Sequence, residues 1–344
     1  MNLYLPAGWL DIEMIDTYMD VHHIDQCFIV GARGTGKSYG IQKMLVKKNE
    51  KFVYSRMSGN EIKMIGNPEM NPFNAFHDDP EMKDLIFSTK PIPKMDYSYY
   101  LYVNDNILGI CLPLVTFGKF RGVDFHEYTS IFLDEFIPER TIKKTPGMGS
   151  ALKNAYETVN RNRELKGGRP VKLYAAANSL DMNNEILLEF GLIPMMEKCL
   201  KSDKEYWVEG NKILIYPRHS PISEAKSQTS LYRDESGKFS DMALSNEFSD
   251  YSRKNIGSRS INGAACRFRL VGCFTMYKLQ NGDWYCTTFS KIKKDTDIYM
   301  NNDYDKRCML NKYYFLATSY MNGRITFERP DLELLFCEYF KIKL

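Results

Sequence analysis

Residues 31–38 read Gly31-Ala32-Arg33-Gly34-Thr35-Gly36-Lys37-Ser38. This is the complete Gly-x4-Gly-Lys-Ser spacing of a phosphate-binding loop. An apolar run, Cys27-Phe28-Ile29-Val30, precedes it, and a helix-like run from Tyr39 to Lys47 follows. Strand, glycine loop and helix in that order separate a nucleotide site from a chance glycine turn. Gly31, Gly34 and Gly36 admit backbone angles closed to other residues, so successive N–H groups can face phosphate oxygens. The helix opening at Lys37 adds free N–H groups and the positive end of its dipole. Lys37 is placed to reach the β- and γ-phosphates, and Ser38 to hold Mg²⁺. The stretch therefore predicts an ATP site in an α/β fold with a mostly parallel central sheet.

A second apolar run, Ser130-Ile131-Phe132-Leu133, ends in Asp134-Glu135. Alone, such a run is common; about a hundred residues after a phosphate loop it reads as the acidic strand of a P-loop ATPase. Asp134 is expected to bind Mg²⁺ through water. Glu135, expected on the opposite side of the strand end, would polarise the water that attacks the γ-phosphate. The acidic pair favours an ATP-hydrolysing ring or translocase over a kinase or small GTPase.

Two further strands are expected. Val171 to Ala177 ends at Asn178, which either senses the γ-phosphate or caps the next helix. Lys51 to Arg56 ends in a cation that faces either nucleotide or solvent. A helix-like stretch from Ser150 to Leu165 carries Asn160-Arg161-Asn162-Arg163-Glu164. Two arginines two residues apart lie roughly 200° apart around a helix and cannot serve one partner. Either one reaches a neighbouring subunit's γ-phosphate, or both are solvent-facing or paired within the chain.

Composition narrows the class. A chain of 344 residues exceeds what one core usually supports, so two domains are expected. The net charge of +3 leaves nucleic-acid contact to local patches. No run of about 18 apolar residues exists, so no membrane span is expected. The N-terminus, with Asp11, Glu13 and Asp16, lacks the layout of a signal peptide. None of the eight cysteines forms a Cys-x-x-Cys pair, which argues against zinc and for reduced, buried thiols.

Taken together, Gly-Ala-Arg-Gly-Thr-Gly-Lys-Ser-Tyr, Asp-Glu-Phe-Ile, Arg-Asn-Arg-Glu and Asn-Ser with a nearby Leu-Ile-Pro resemble the genome-packaging ATPases of φ29-like podophages. Met242-Ala243-Leu244-Ser245-Asn246 and Tyr320-Met321-Asn322-Gly323-Arg324 extend the resemblance over nearly the whole chain. It implies a homopentameric ring motor in the host cytoplasm, docked at the portal vertex of an empty capsid. The motor would drive double-stranded DNA inward with ATP, and a structural RNA is a further possible partner. It points to Arg161 as an arginine finger acting in trans, with Arg121 a second trans candidate; Arg163, next in the same stretch, is a further trans or DNA-contact candidate. It also implies a smaller C-terminal domain similar to an RNase H-type nuclease without its catalytic acids. The expected boundaries are 1–206 for the ATPase domain, 207–240 for a linker and 241–344 for the C-terminal domain.

In the C-terminal half, one strand is expected from Cys266 to Leu279, a turn at Asn281-Gly282, a return from Trp284 to Phe289 and a helix from Asp331 to Lys341. The first strand carries no acid, and Asp295, Asp297, Asp303 and Asp305 fall in a polar loop, so no nuclease centre is expected. DNA-contact candidates are Lys63, Lys143, Lys144, Lys166 and Arg169, all expected on loops. Arg253, Lys254, Arg259, Arg267, Arg269, Lys291, Lys293 and Lys294 are either phosphate contacts or ordinary surface charge. Alternatives to the translocating motor are a motor with an active nuclease and a nucleotide-gated scaffold ring with little turnover.

Overall fold

The computed structural model describes residues 1–120, 122–138, 145–178, 182, 184–230 and 255–342. The chain falls into two compact units, residues 1–250 and 251–344.

The first unit is built on one sheet. Its strands are β1 (Gln26–Gly31), β2 (Lys51–Arg56), β3 (Phe87–Pro91), β4 (Tyr99–Val103), β5 (Asn106–Pro113), β6 (Tyr128–Asp134), β7 (Lys172–Asn178), β8 (Tyr206–Glu209) and β9 (Lys212–Ile215). They lie in the order β3-β4-β5-β2-β6-β7-β1-β9-β8. From β5 to β9 the strands run parallel; β3, β4 and β8 are antiparallel additions at the two edges. The central strands are apolar along their length because helices cover both faces.

Helices α1 (Ile12–Val21) and α2 (Lys37–Lys48) cover one face. Their Ile15, Met19, Ile41, Met44 and Leu45 pack in one core with Cys27, Ile29, Tyr54, Phe132 and Tyr174 of the sheet. On the other face Phe28 packs against Phe136 and Phe190. The remaining helices of this unit are α3 (Gly59–Ile65), α4 (Met148–Asn160), α5 (Glu185–Glu189), α6 (Leu192–Ser202) and α7 (Pro221–Ser227).

Three local expectations give way here. The stretch from residue 207 opens with the β8–β9 hairpin, not with linker: Gly210 turns at φ 59°, and Ile213-Leu214-Ile215 is buried beside β1. The helix expected to reach Leu165 ends at Asn160, because Arg161 and Asn162 take left-handed φ of 42° and 55°. Lys63 lies exposed on α3 and not on a loop, and Lys166 ends a short 3-10 turn.

The second unit has strands β10 (Ala265–Leu270), β11 (Phe274–Lys278), β12 (Trp284–Thr287), β13 (Asp297–Tyr299) and β14 (Ile325–Phe327), in the order β13-β10-β11-β12-β14. The single strand expected over Cys266–Leu279 is two strands, since Gly272 at φ 80° reverses the chain. Asn281-Gly282 does lie in the connection from β11 to β12. Helices α8 (Asp303–Tyr313), α9 (Leu316–Met321) and α10 (Pro330–Tyr339) place Met309, Tyr313, Leu316, Leu332 and Phe336 in a core with Phe268, Leu270, Phe274 and Met276.

Two of the acids expected on a polar loop, Asp297 and Asp305, hold local structure instead, and so does Asp283 beyond the Asn281-Gly282 turn. Asp297 accepts from the Tyr313 hydroxyl at 2.6 Å and pairs with Lys312 at 2.6 Å. Asp305, in the first turn of α8, accepts from the Met300 N–H at 2.7 Å. Asp283 pairs with Arg324 at 3.1 Å.

Candidate functional site

The parallel register brings the carboxyl ends of four strands together. Gly31 lies opposite Asn178, Asp134 opposite Ala176, and Ser55 opposite Leu133. Ligands of open α/β sheets collect at this end. The phosphate loop after β1, the acidic end of β6, Asn178 of β7 and Arg56 of β2 therefore meet, although up to about 140 residues separate them.

Gly34 and Gly36 take φ of 73° and 86°, and Gly36 is the N-cap of α2. Both are left-handed, the conformation glycine supplies without strain. Ala32 and Thr35 are buried, and the Thr35 hydroxyl donates to the Ala32 carbonyl at 3.3 Å. The buried Lys37 ammonium donates to the carbonyls of Ala32 at 2.6 Å and Gly31 at 3.2 Å, and to Asn178 Oδ1 at 3.2 Å. Burial pushes Lys37 down from 10.5 to about 7; Asp134 and Glu135 oppose that drop, and Lys226 and Arg33 reinforce it.

The Ser38 hydroxyl donates to Asp134 Oδ1 at 2.6 Å. Asp134 Oδ2 accepts from the Tyr54 hydroxyl at 3.0 Å and from Arg56 at 2.9 Å. Arg56 also donates to Glu135. Its side chain is one-fifth exposed, so it faces the carboxylates and not solvent. Glu135 departs from the sequence expectation. Strand β6 ends at Asp134, and the left-handed backbone of Glu135 (φ 53°) swings its carboxylate onto the guanidinium that Asp134 also uses. A non-glycine residue in that region is strained, and such strain gathers at functional sites.

This donor set fits a Mg²⁺–nucleotide. A hydroxyl and a buried carboxylate lie within hydrogen-bond reach of one another, beside a lysine already surrounded by oxygen acceptors. The residues face a cleft of about 1270 Å³, lined by Arg33 to Tyr39, Asp134, Glu135 and Asn178, and also by Trp9 and Leu10.

The two arginines of Arg-Asn-Arg-Glu differ. Arg163 donates to the carbonyls of Phe125 at 2.8 Å and Tyr128 at 2.6 Å. Arg161 is exposed on the left-handed residue that ends α4. Arg121, Lys143 and Lys144, like Arg253 and Lys254, lie outside the described residues.

A family model for the podovirus DNA encapsidation protein (Gp16) matches residues 18–333. The chain belongs to that family. As a member of it, the chain is 26% identical over 339 residues to the DNA packaging protein of Bacillus phage B103, covering 91% of this chain and 96% of that protein. It is 24% identical over 331 residues to the DNA packaging protein of Bacillus phage phi29, covering 91% and 92%. Two solved structures share its fold over 99% of both chains: the phi-29 viral genome packaging motor assembly (TM-score 0.61, 20% identity) and the phi-28 DNA packaging motor (TM-score 0.61, 13% identity).

In this encapsidation-family chain, sequence reasoning missed three neighbours of the loop. Tyr54 stands two residues before Arg56, hence on the same face of β2, and the period of two was a usable signal. Lys226 of α7 donates to the Arg33 carbonyl at 2.8 Å. The Leu10 N–H donates to the Thr35 carbonyl at 3.1 Å. Neither of these last two contacts leaves a mark in local sequence.

Proposed function

We propose that the chain is the ATPase of a DNA-packaging motor, coupling ATP hydrolysis to the translocation of double-stranded viral DNA into a capsid. The observation that carries this is the continuous chain Ser38–Asp134–Arg56–Glu135 beside a complete phosphate loop, in a chain of the DNA encapsidation family. Residues Gly31 to Ser38 would hold the triphosphate. Ser38 and, through water, Asp134 would hold Mg²⁺, which neutralises charge on the phosphate oxygens. Glu135 orients the attacking water and takes its proton. Asn178, already hydrogen-bonded to Lys37, reports on the same phosphate. Arg161 is the arginine we assign to a neighbouring subunit's site, because it is exposed whereas Arg163 is held on two carbonyls.

On this reading the motor is a homomeric ring, pentameric as the resemblance implies. It works in the host cytoplasm, transiently at the portal vertex, and a structural RNA is a candidate additional partner. The first unit is the ATPase domain. The second is the candidate vestigial nuclease-like domain, whose cations Arg259, Arg267, Arg269, Lys291, Lys293 and Lys294 are candidate phosphate contacts. Among the described residues no helix is long and apolar enough to cross a membrane.

The test is packaging in vitro with purified portal-bearing capsids, scored by protection of DNA from added nuclease. Wild-type protein should protect DNA only with ATP. Glu135→Gln should bind ATP and protect none. Protection by Glu135→Gln equal to wild type would instead favour a nucleotide-gated scaffold.

A further inference from the structure

We propose that Trp9 is the platform on which the nucleobase of ATP stacks. The inference rests on residues 31–38 being the phosphate site, and it assigns the other end of the nucleotide.

Trp9 is held in place yet exposed. The chain from Leu5 to Trp9 closes a tight turn: the Gly8 N–H donates to the Leu5 carbonyl and the Leu5 N–H to the Trp9 carbonyl, each at 2.8 Å. Gly8 turns at φ 87° against α7, where a Cβ would meet Pro221 and Ile222 at 3.1 Å. On the far side of Trp9, Leu10 is fastened to the Thr35 carbonyl of the phosphate loop and Tyr4 bridges Leu10. A backbone so anchored fixes where the side chain of Trp9 starts, and the residue is 41% exposed. Its ring edge lies against Gly36, where an added Cβ would meet Cε3 at 3.3 Å. The indole thus borders the loop that would hold the phosphates.

The rest of that cleft wall suits a planar, apolar ligand. Leu5, Met14 and Tyr39 also line it, and all three are exposed by a third or more. Large exposed apolar side chains gathered in one concave site mark a ligand wall. Four of the charged residues on this wall pair among themselves: Lys47 with Glu13 at 2.6 Å and Lys43 with Glu81 at 2.6 Å. Beside the loop stands an exposed aromatic ring with aliphatic flanks, the chemistry that holds a base by stacking.

The experiment compares binding of Mg²⁺–ATP and Mg²⁺–tripolyphosphate to wild type, Trp9→Ala and Trp9→Phe by titration calorimetry. Trp9→Ala should weaken ATP by roughly tenfold to a hundredfold, the range of one base–aromatic stack. Trp9→Phe should keep most of the affinity, and tripolyphosphate should bind all three proteins alike. Unchanged ATP affinity in Trp9→Ala would overturn the proposal. So would an equal loss for both ligands, which would make Trp9 a prop for the phosphate loop. Wild-type protein that binds neither ligand would overturn the phosphate site itself, a result distinct from failure at Trp9 alone.

Discussion

Arg56 holds the carboxylate of Glu135 while donating through its other terminal nitrogen to Asp134 at 2.9 Å. One guanidinium thus bridges the carboxylate that ends β6 and the one that follows it. Replacing Arg56 with Ala takes the ion pair from the buried Asp134 and leaves it on the Ser38 and Tyr54 hydroxyls beside a second carboxylate. The expected cost is roughly 2–4 kcal/mol, the scale of breaking a buried pair and lessened because Glu135 is half exposed. The Mg²⁺ of bound Mg²⁺–ADP would place positive charge beside the same acids, so the ligand should recover part of the loss. Thermal melts of Arg56→Ala with and without Mg²⁺–ADP check this. A deficit untouched by the ligand would contradict it.

The arginines at 161 and 163 should separate cleanly. Arg163→Ala removes two hydrogen bonds to backbone carbonyls, at roughly 1–3 kcal/mol of stability. Arg161→Ala should change stability by no more than about 0.5 kcal/mol, as for an exposed side chain. In steady-state ATPase assays at ring-forming concentration, Glu135→Gln and Arg161→Ala should each be inactive alone and partly active when mixed one to one. No recovery, with both variants folded and binding ATP, would refute a trans role for Arg161.

Nucleotide binding is expected to depend on pH through Lys37. Burial lowers its pKa from 10.5 to about 7. Between those values the unfolded chain holds a proton that the folded one lacks, so stability rises with pH through that window. Below about 7 both states are protonated and the burial penalty is complete. Bound phosphates favour the charged ammonium. ATP binding at pH 8 should therefore take up a proton, and affinity should fall as pH rises above about 7. Calorimetry in two buffers of different ionisation heat measures the uptake; equal heats in both would rule it out. Lys37→Met should flatten the stability profile over the same window.

Asn178 offers its Oδ1 to Lys37 at 3.2 Å. If it senses the reacting phosphate, Asn178→Ala should lower kcat by roughly a hundredfold, as loss of one transition-state contact does. ATP affinity should change by less than about threefold. A variant that melts earlier but hydrolyses ATP at the normal rate would reduce Asn178 to a structural residue.

Much of the fold around the site could be read from residue order alone. The phosphate loop needs glycines, lysine and serine at fixed local spacing, and strands β1, β2, β6 and β7 are apolar runs bounded by polar ends. The β8–β9 hairpin escaped notice because its short apolar run lies among charges and prolines. The end of α4 is only weakly marked in the sequence: Asn162 tolerates left-handed backbone, but Arg161, which adopts it first, carries no such signal.

The sequence by itself determined the Gly31–Ser38 motif and the Asp134-Glu135 pair, because each is set by residues adjacent in the chain. Only the tertiary structure decided what surrounds them. That Tyr54 and Arg56 reach Asp134 depends on β2 lying beside β6. That Glu135 turns back to Arg56 depends on one left-handed residue. That Trp9 borders Gly36 depends on how the N-terminal turn seats against α7. Such contacts join residues tens to hundreds of positions apart, and their register is fixed by the packing of the whole sheet and its helices, which no local pattern encodes.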